Sequence, residues 1–182
     1  DNIDTRKKAL SVVEEAKIFL EKNIKENNYI VFVNELSSRK LREYLQINNY
    51  IFSPIRWLYI IKDNKTPNNI VVEQNYFQLI SNLWWTLSWE IALDIYVWDT
   101  KKRNEIIILT TNKNGTVEVS ETNYKIYYKQ SQIYREIECF KVQWVKLFME
   151  SKLSFIINEF YTYENDSRFK LLLEKQDNIM FW

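Results

Sequence analysis

The sequence predicts an α+β protein in two parts, residues 1–65 and 66–182. Some segments repeat apolar residues every three or four positions, as amphipathic helices do, whereas others alternate apolar and polar residues, as half-buried strands do. The polar run DNKTPNN, residues 63–69, is the clearest loop and separates the parts. An apolar content of 46% beside 27% charged residues is typical of a folded globular chain.

The first segment predicts one amphipathic helix over residues 5–25. Its apolar residues recur with helical spacing at Leu10, Val13, Ala16, Leu20 and Ile24. Arg6, Lys7 and Lys8 form a basic cluster at its start, where the helix dipole favours acidic residues. This cluster is either a frayed, solvated end or an arm that contacts phosphates.

Residues 36–61 predict a short cationic helix followed by a hairpin. Ser37 or Ser38 supplies the N-cap, and the buried face of the helix is formed by Leu41, Tyr44 and Leu45. Residues 29–33 before it are a strand or a buried linker. The hairpin turns at Ser53 and Pro54, between residues 50–52 and 55–61. Helix and hairpin together form half of a winged helix, so we expect a small winged-helix-like N-terminal unit.

The second part predicts a mixed helix and antiparallel β-hairpin domain with a helical C-terminal region. Residues 77–96 form a core helix, interrupted near residues 86–88, with leucine or isoleucine at every fourth position. Three strands follow, the first two joined by a loop at residues 112–115: residues 106–110, 116–120 and 124–128. Residues 134–175 are helical except for a loop at 163–167.

Composition excludes several classes of chemistry. The chain has no histidine, which excludes catalytic triads and zinc sites that depend on imidazole. Its single cysteine, Cys139, allows no intramolecular disulfide and is predicted to be an inert core residue. Its one glycine, Gly115, leaves no glycine-rich loop for a phosphate. No cofactor is expected. No run of about 18 apolar residues indicates a membrane span, so we expect a cytoplasmic protein.

Positive charge is concentrated in residues 36–65. Six basic and two acidic residues, Glu43 and Asp63, give this stretch an excess of +4 in a chain whose net charge is +1. A winged helix uses such charges to hold phosphates first and base edges second. The predicted nucleic-acid-binding residues are Arg39, Lys40, Arg42, Arg56, Lys62 and Lys65. The solvated face of a small α+β unit carries a similar cluster, so that alternative stays open.

The order of elements resembles the AbiEi-type antitoxins of bacterial abortive-infection systems, and the region that precedes the catalytic domain in a group of Fic-related proteins. This resemblance covers residues 35–128. The residues that carry it are Leu41, Leu45, Tyr50, Ile55, Arg56, Leu58 and Tyr59 in the wing, Leu87, Ser88 and Ala92 in the central helix, and the strands over 107–127. Trp57 stands where that family usually has glycine, which reaches positive φ easily. The Fic catalytic motif is absent. The resemblance implies a DNA-binding, autoregulatory or antitoxin-like role rather than nucleotide transfer.

A group of tryptophans offers an alternative site. It comprises Trp84, Trp85 and Trp89, which either stack on single-stranded nucleic acid or belong to the core. The leucine spacing around them is helical, which favours the core.

Acidic residues offer another alternative. Asp94 and Asp99, with the triplet Glu150-x-Lys152, are compatible with a metal-dependent nuclease that activates water. A similar triplet lies on the first amphipathic helix, so the motif is close to chance.

The sequence therefore predicts an antitoxin-like regulator that binds double-stranded DNA through its basic winged-helix-like unit and is not an enzyme. The alternative is a protein interaction module, or a component of a bacterial defence or toxin-antitoxin system that does not itself bind DNA. A cognate toxin or another protein is an expected partner, whereas no metal site and no membrane association are expected.

Overall fold

The computed structural model describes residues 10–83, 86–87, 89–99, 101–110, 114–131 and 135–180. The chain is an α+β protein with two compact units, one ending at Glu73 and the other beginning at Gln74. The basic cluster Arg6, Lys7 and Lys8 lies outside the described residues, as do Trp84, Trp85 and the side chain of Trp89. In the described part of the chain, no helix is both long and apolar enough to cross a membrane.

The first unit packs two helices against a three-stranded antiparallel sheet. Its elements are α1 (Val12–Lys25), β1 (Ile30–Phe32), a single 3-10 turn (Val33–Glu35), α2 (Arg39–Ile47), β2 (Ile51–Ile55) and β3 (Leu58–Ile61), followed by α3 (Asn68–Gln74) across the boundary. The strand order is β1-β3-β2. One apolar core joins these elements, and it includes Ala16, Val31, Leu36, Leu41, Leu45, Ile51, Tyr59 and Ile61.

The hairpin of the first unit turns later than the sequence predicts. Strand β2 continues through Ser53 and Pro54, and the turn lies at Arg56 and Trp57. Proline is tolerated there because β2 is an edge strand and one extra residue bulges between Phe52 and Ile55. The predicted turn at Ser53 and Pro54 is therefore wrong, although the hairpin itself is confirmed.

The second unit is built on a six-stranded mixed sheet. Its elements are α4 (Tyr76–Ser81), β4 (Thr86–Leu87), α5 (Trp89–Tyr96), β5 (Glu105–Thr110), β6 (Gly115–Glu118), β7 (Lys125–Gln130), β8 (Ile137–Val142), β9 (Val145–Glu150), α6 (Lys152–Tyr163) and α7 (Ser167–Met180). The strand order is β6-β7-β5-β4-β9-β8. The predicted interruption of the core helix is confirmed, because β4 separates α4 from α5.

The pairing within this sheet corrects two predictions. Strand β5 does not form a hairpin with β6 but pairs parallel with β7, and β6 and β7 form the antiparallel hairpin. Residues 134–175 are not helical throughout, because β8 and β9 form another antiparallel hairpin before α6 begins. Cys139, predicted to be a core residue, is exposed on β8. The helices predicted after residue 152 are confirmed.

Candidate nucleic-acid interface

Helix α2 carries three of the six predicted phosphate contacts, Arg39, Lys40 and Arg42. Ser38 caps its N-terminus, since the Ser38 hydroxyl accepts the backbone N–H of Leu41 at 3.1 Å. Leu41 and Leu45 are buried against the core, which fixes the rotation of the helix about its axis. The basic residues consequently point away from the core: Arg39 and Lys40 are exposed and Arg42 is half-buried.

Arg39 is not a free cation. Its Nε donates to the Glu43 carboxylate at 2.5 Å, an i,i+4 pair on the outward side of α2. The hydrogen bond with Glu43 and its charge raise the pKa of Arg39. The pair uses only Nε, so the Nη groups of Arg39 can still donate to a ligand, although Glu43 offsets the charge of the guanidinium.

The turn between β2 and β3 presents a second cationic group. The Arg56 guanidinium lies over the Trp57 ring, 4.6 Å from its centroid, in a cation–π contact. Trp57 is 58% exposed and has a φ of 74°, in the left-handed region that suits glycine. The turn thus holds a bulky ring at a costly backbone conformation, with an exposed arginine beside it.

Lys62 does not belong to this surface. It is only 7% exposed, and its Nζ has no hydrogen-bond partner. A buried ammonium cannot reach a phosphate, so the prediction for Lys62 is wrong. Lys65 is exposed in the loop that follows, where the Asp63 carboxylate accepts the backbone N–H groups of Lys65 and Thr66.

Four cations remain available to an anionic ligand. They are Lys40, Arg42, Arg56 and Lys65, and among the described residues none of them has an ion pair. All four belong to the first unit. Of the six predicted residues, these four therefore have no ion pair within the described chain, Arg39 is paired with Glu43, and Lys62 is buried.

Two acidic residues of the nuclease alternative, Asp94 and Glu150, are engaged in buried ion pairs. Asp94 is fully buried, and its carboxylate accepts hydrogen bonds from Arg103 and from Arg168, the latter at 2.6 Å. Arg168 also donates to Glu90 and Asp166, both at 2.7 Å, and these contacts tie α7 to α5. The two arginines occupy both oxygens of Asp94, as in a structural ion pair, and Asp99 is exposed five residues later.

Glu150 lies in a second buried cluster. Arg135 donates to Glu150 at 2.6 Å and to Glu159 at 2.8 Å, and Ser154 and Asn158 donate to the other Glu150 oxygen at 2.9 and 3.0 Å. These contacts join the end of β9 to α6. In the part of the chain that the structure describes, no group of three or more acidic or cysteine side chains is arranged to hold a metal ion.

A cavity of about 300 Å³ opens beside the Asp94 cluster. Its walls carry both signs of charge, and they comprise Glu90, Lys101, Lys102, Arg103, Asn104, Glu105 and Ile107. Arg103 is already committed to Asp94, which raises its pKa. Glu90 is paired as well, with Arg103 and Arg168. The remaining charged groups on the cavity wall are Lys101, Lys102 and Glu105, which do not identify a ligand.

Sequence reasoning missed the β8–β9 hairpin and the residues at its tip. Lys141 and Lys146 lie directly opposite each other, and Trp144 occupies the turn between them. The only signal was Val142 and Val145 flanking a two-residue gap, which helical spacing also explains. Comparison with known proteins adds no assignment: no family model matches the chain, and no curated protein matches it significantly.

Proposed function

We propose that the first unit binds duplex DNA and that the protein acts as an antitoxin-like regulator. The observation that carries this proposal is the direct succession of α2, with its exposed basic residues, and the β2–β3 hairpin, with Arg56 at its turn. The strand order β1-β3-β2 with two helices on the sheet is compatible with a winged-helix-like unit and so supports the proposal. The regulatory role rests on the resemblance to AbiEi-type antitoxins.

The rotation of α2 supports binding along a groove. At about 100° per residue, Arg39, Glu43 and Gln46 lie opposite the buried Leu41 and Leu45. Lys40 and Arg42 fall on the two flanks of that outward line. A helix in the major groove contacts phosphates with its flanks and base edges with its outward line, where arginine, glutamate and glutamine each have base partners.

The β2–β3 turn supports a phosphate or minor-groove contact beside the helix. Arginine binds phosphates bidentately and enters narrow minor grooves readily. Stacking on Trp57 orients the planar Arg56 guanidinium without using its hydrogen-bond donors. The turn therefore presents a pre-oriented cation to the DNA backbone.

The test is a charge reversal on the flanks of α2. Lys40→Glu combined with Arg42→Glu is expected to weaken duplex binding at least about 60-fold at 0.1 M salt, because two phosphate contacts are lost. The matched control is Lys17→Glu with Lys22→Glu, which makes the same change in net charge on exposed positions of α1. Circular dichroism checks that both variants fold. Equal duplex affinities for the two double variants would rule out α2 as the binding helix.

A protein interaction role is the second candidate, and helix α6 favours it. Leu153, Ile157 and Tyr161 recur every four residues on α6 and are 62%, 67% and 90% exposed. Such an apolar stripe on a helix is typical of a protein contact. Ile157→Glu is expected to abolish a complex with a protein encoded beside this one while leaving duplex affinity unchanged. A complex that survives this substitution would exclude the α6 stripe as its interface.

A further inference from the structure

The tip of the β8–β9 hairpin is built against several local preferences. Gln143 and Trp144 form the two-residue turn between the paired Val142 and Val145, with φ values of 49° and 68°. Two-residue hairpin turns of this kind normally use Asn-Gly, because both positions need positive φ. Tryptophan is strained in this conformation, because its Cβ crowds the backbone at positive φ. Trp144 is also 95% exposed, so burial of its ring in this chain does not offset that cost.

The pair of residues behind the turn is unfavourable as well. Lys141 and Lys146 lie directly opposite each other and are both exposed. Like charges at directly opposed positions destabilise an antiparallel pair. Within the described residues neither lysine has an acidic partner. Phe148, two residues further along β9 and so on the same face as Lys146, is half-exposed.

A partner that carries negative charges and flat aromatic rings would offset both the exposure of Trp144 and the repulsion between Lys141 and Lys146. Its phosphates neutralise the two lysines, and its bases give the indole a stacking surface. We propose that the tip of the β8–β9 hairpin binds single-stranded nucleic acid, with Trp144 stacked on an unpaired base and Lys141 and Lys146 on the flanking phosphates. This site is in the second unit and does not depend on the duplex-binding role of the first.

Single strands fit the tip better than a duplex. Bases in a duplex are already stacked on their neighbours, so their faces are closed to a ring on the protein surface. Unpaired bases leave these faces open, and every base has one, so the contact tolerates any sequence. Phe148 offers a second ring for another base of the strand, on the same face of β9 as Lys146.

A membrane surface is the competing partner for a tryptophan flanked by lysines. Membrane affinity of a surface element scales with the apolar area that it buries. The turn offers one indole beside the polar Gln143, and the two lysines follow one residue pair behind it. One ring is enough for a base stack but buries little area in a bilayer, so the geometry favours nucleic acid.

The test measures binding of the full chain to a labelled single-stranded oligothymidylate by fluorescence anisotropy. Trp144→Gly keeps the turn, since glycine suits its positive φ, and removes the ring. Loss of one base stack is expected to weaken binding about 5- to 150-fold. Trp98→Gly is the matched control, because Trp98 is also exposed and also at positive φ, 64°, and it should bind like wild type.

A second variant tests the lysines. Lys141→Glu with Lys146→Glu is expected to abolish binding to the oligothymidylate. Replacing both lysines by Gln should reduce the magnitude of the slope of log association constant against log salt concentration by about 1.4, because two phosphate contacts are lost. The Trp144→Gly protein should keep wild-type affinity for duplex DNA, whose bases are closed to the ring, so that failure here is separable from failure of duplex binding. Equal affinities for the Trp144→Gly and Trp98→Gly proteins would overturn the proposal. Binding that depends on Trp144 only with vesicles containing phosphatidylserine would overturn it in favour of a membrane surface.

Discussion

Replacing Asp94 by Asn is expected to destabilise the second unit by about 3 kcal/mol. Asp94 is fully buried, and its two oxygens accept hydrogen bonds from Arg103 and Arg168. Asparagine keeps the shape of the side chain but loses its charge, which leaves two guanidinium groups against a neutral amide. Removing one partner of a buried ion pair costs about 3–5 kcal/mol, and the lower end applies because both arginines keep Glu90 as a partner.

The assay is urea unfolding of the full chain at pH 7, followed by circular dichroism. With two compact units, two transitions are expected, and only the one that belongs to the second unit should move. A slope of about 2 kcal/mol per molar urea converts the expected loss into a midpoint lower by about 1.5 M.

The matched control is Asp99→Asn. Asp99 is exposed, and its carboxylate accepts the backbone N–H of Lys101 at 3.0 Å. An exposed change of this kind shifts stability by about 0.5 kcal/mol or less. If Asp94→Asn lowers the midpoint no further than Asp99→Asn does, the buried ion cluster does not stabilise the unit and the physical account of it is wrong.

Two further predictions concern Asp166 and Trp57. The hydrogen bonds from Arg168 lower the pKa of Asp166 from 3.8 to about 2, so its stabilising effect is present above about pH 4 and is lost as the pH falls toward 2. Asp166→Asn should lower the free energy of unfolding by about 1 kcal/mol at pH 7, after allowance for screening by solvent. In acid titrations the variant should lose less stability than wild type between pH 4 and pH 2. Parallel curves of stability against pH for the two proteins would contradict this. Trp57→Gly should leave the free energy of unfolding, from thermal unfolding, within about 1 kcal/mol of wild type. Glycine relieves the strain at positive φ, which offsets the lost cation–π contact with Arg56. A loss of about 3 kcal/mol or more, as for a packed core tryptophan, would contradict this.

The first unit was largely predictable because its signals are local. Ser38 is a capping residue, and Leu41 and Leu45 have the spacing of one buried helix face. The position of the turn was not predictable from Ser53 and Pro54, since an edge strand tolerates proline and the bulge that accompanies it. The burial of Lys62 depends on tertiary packing, which a charge pattern does not reveal.

The second unit was harder to predict because several of its described turns lack glycine. Non-glycine residues take positive φ there, where glycine or Asn-Gly would normally mark a turn, among them Trp98, Glu121, Gln143 and Trp144. Without that signal, the strands of the β8–β9 hairpin are apolar runs that also fit helical spacing. The parallel pairing of β5 with β7 is a long-range feature that no local pattern encodes.

The ion clusters were visible in the sequence only as single acidic residues. Asp94 and Glu150 were considered as metal ligands because carboxylates bind divalent ions. Their partners Arg103, Arg168 and Arg135 lie 9, 74 and 15 positions away in the sequence, so the pairing required the fold. In the fold, two arginines satisfy the carboxylate of Asp94, and one arginine with two hydrogen-bond donors satisfies that of Glu150. These carboxylates therefore stabilise the fold instead of binding a metal ion.

The salt dependence of duplex binding by the full chain tests the central proposal most directly. Four phosphate contacts from Lys40, Arg42, Arg56 and Lys65 give an expected slope of about −3.6 for the logarithm of the association constant against the logarithm of salt concentration. The affinity should then fall about 150-fold between 50 and 200 mM salt. A slope near zero, or no duplex binding at about 50 mM salt, would contradict the assignment of the first unit as a DNA-binding unit.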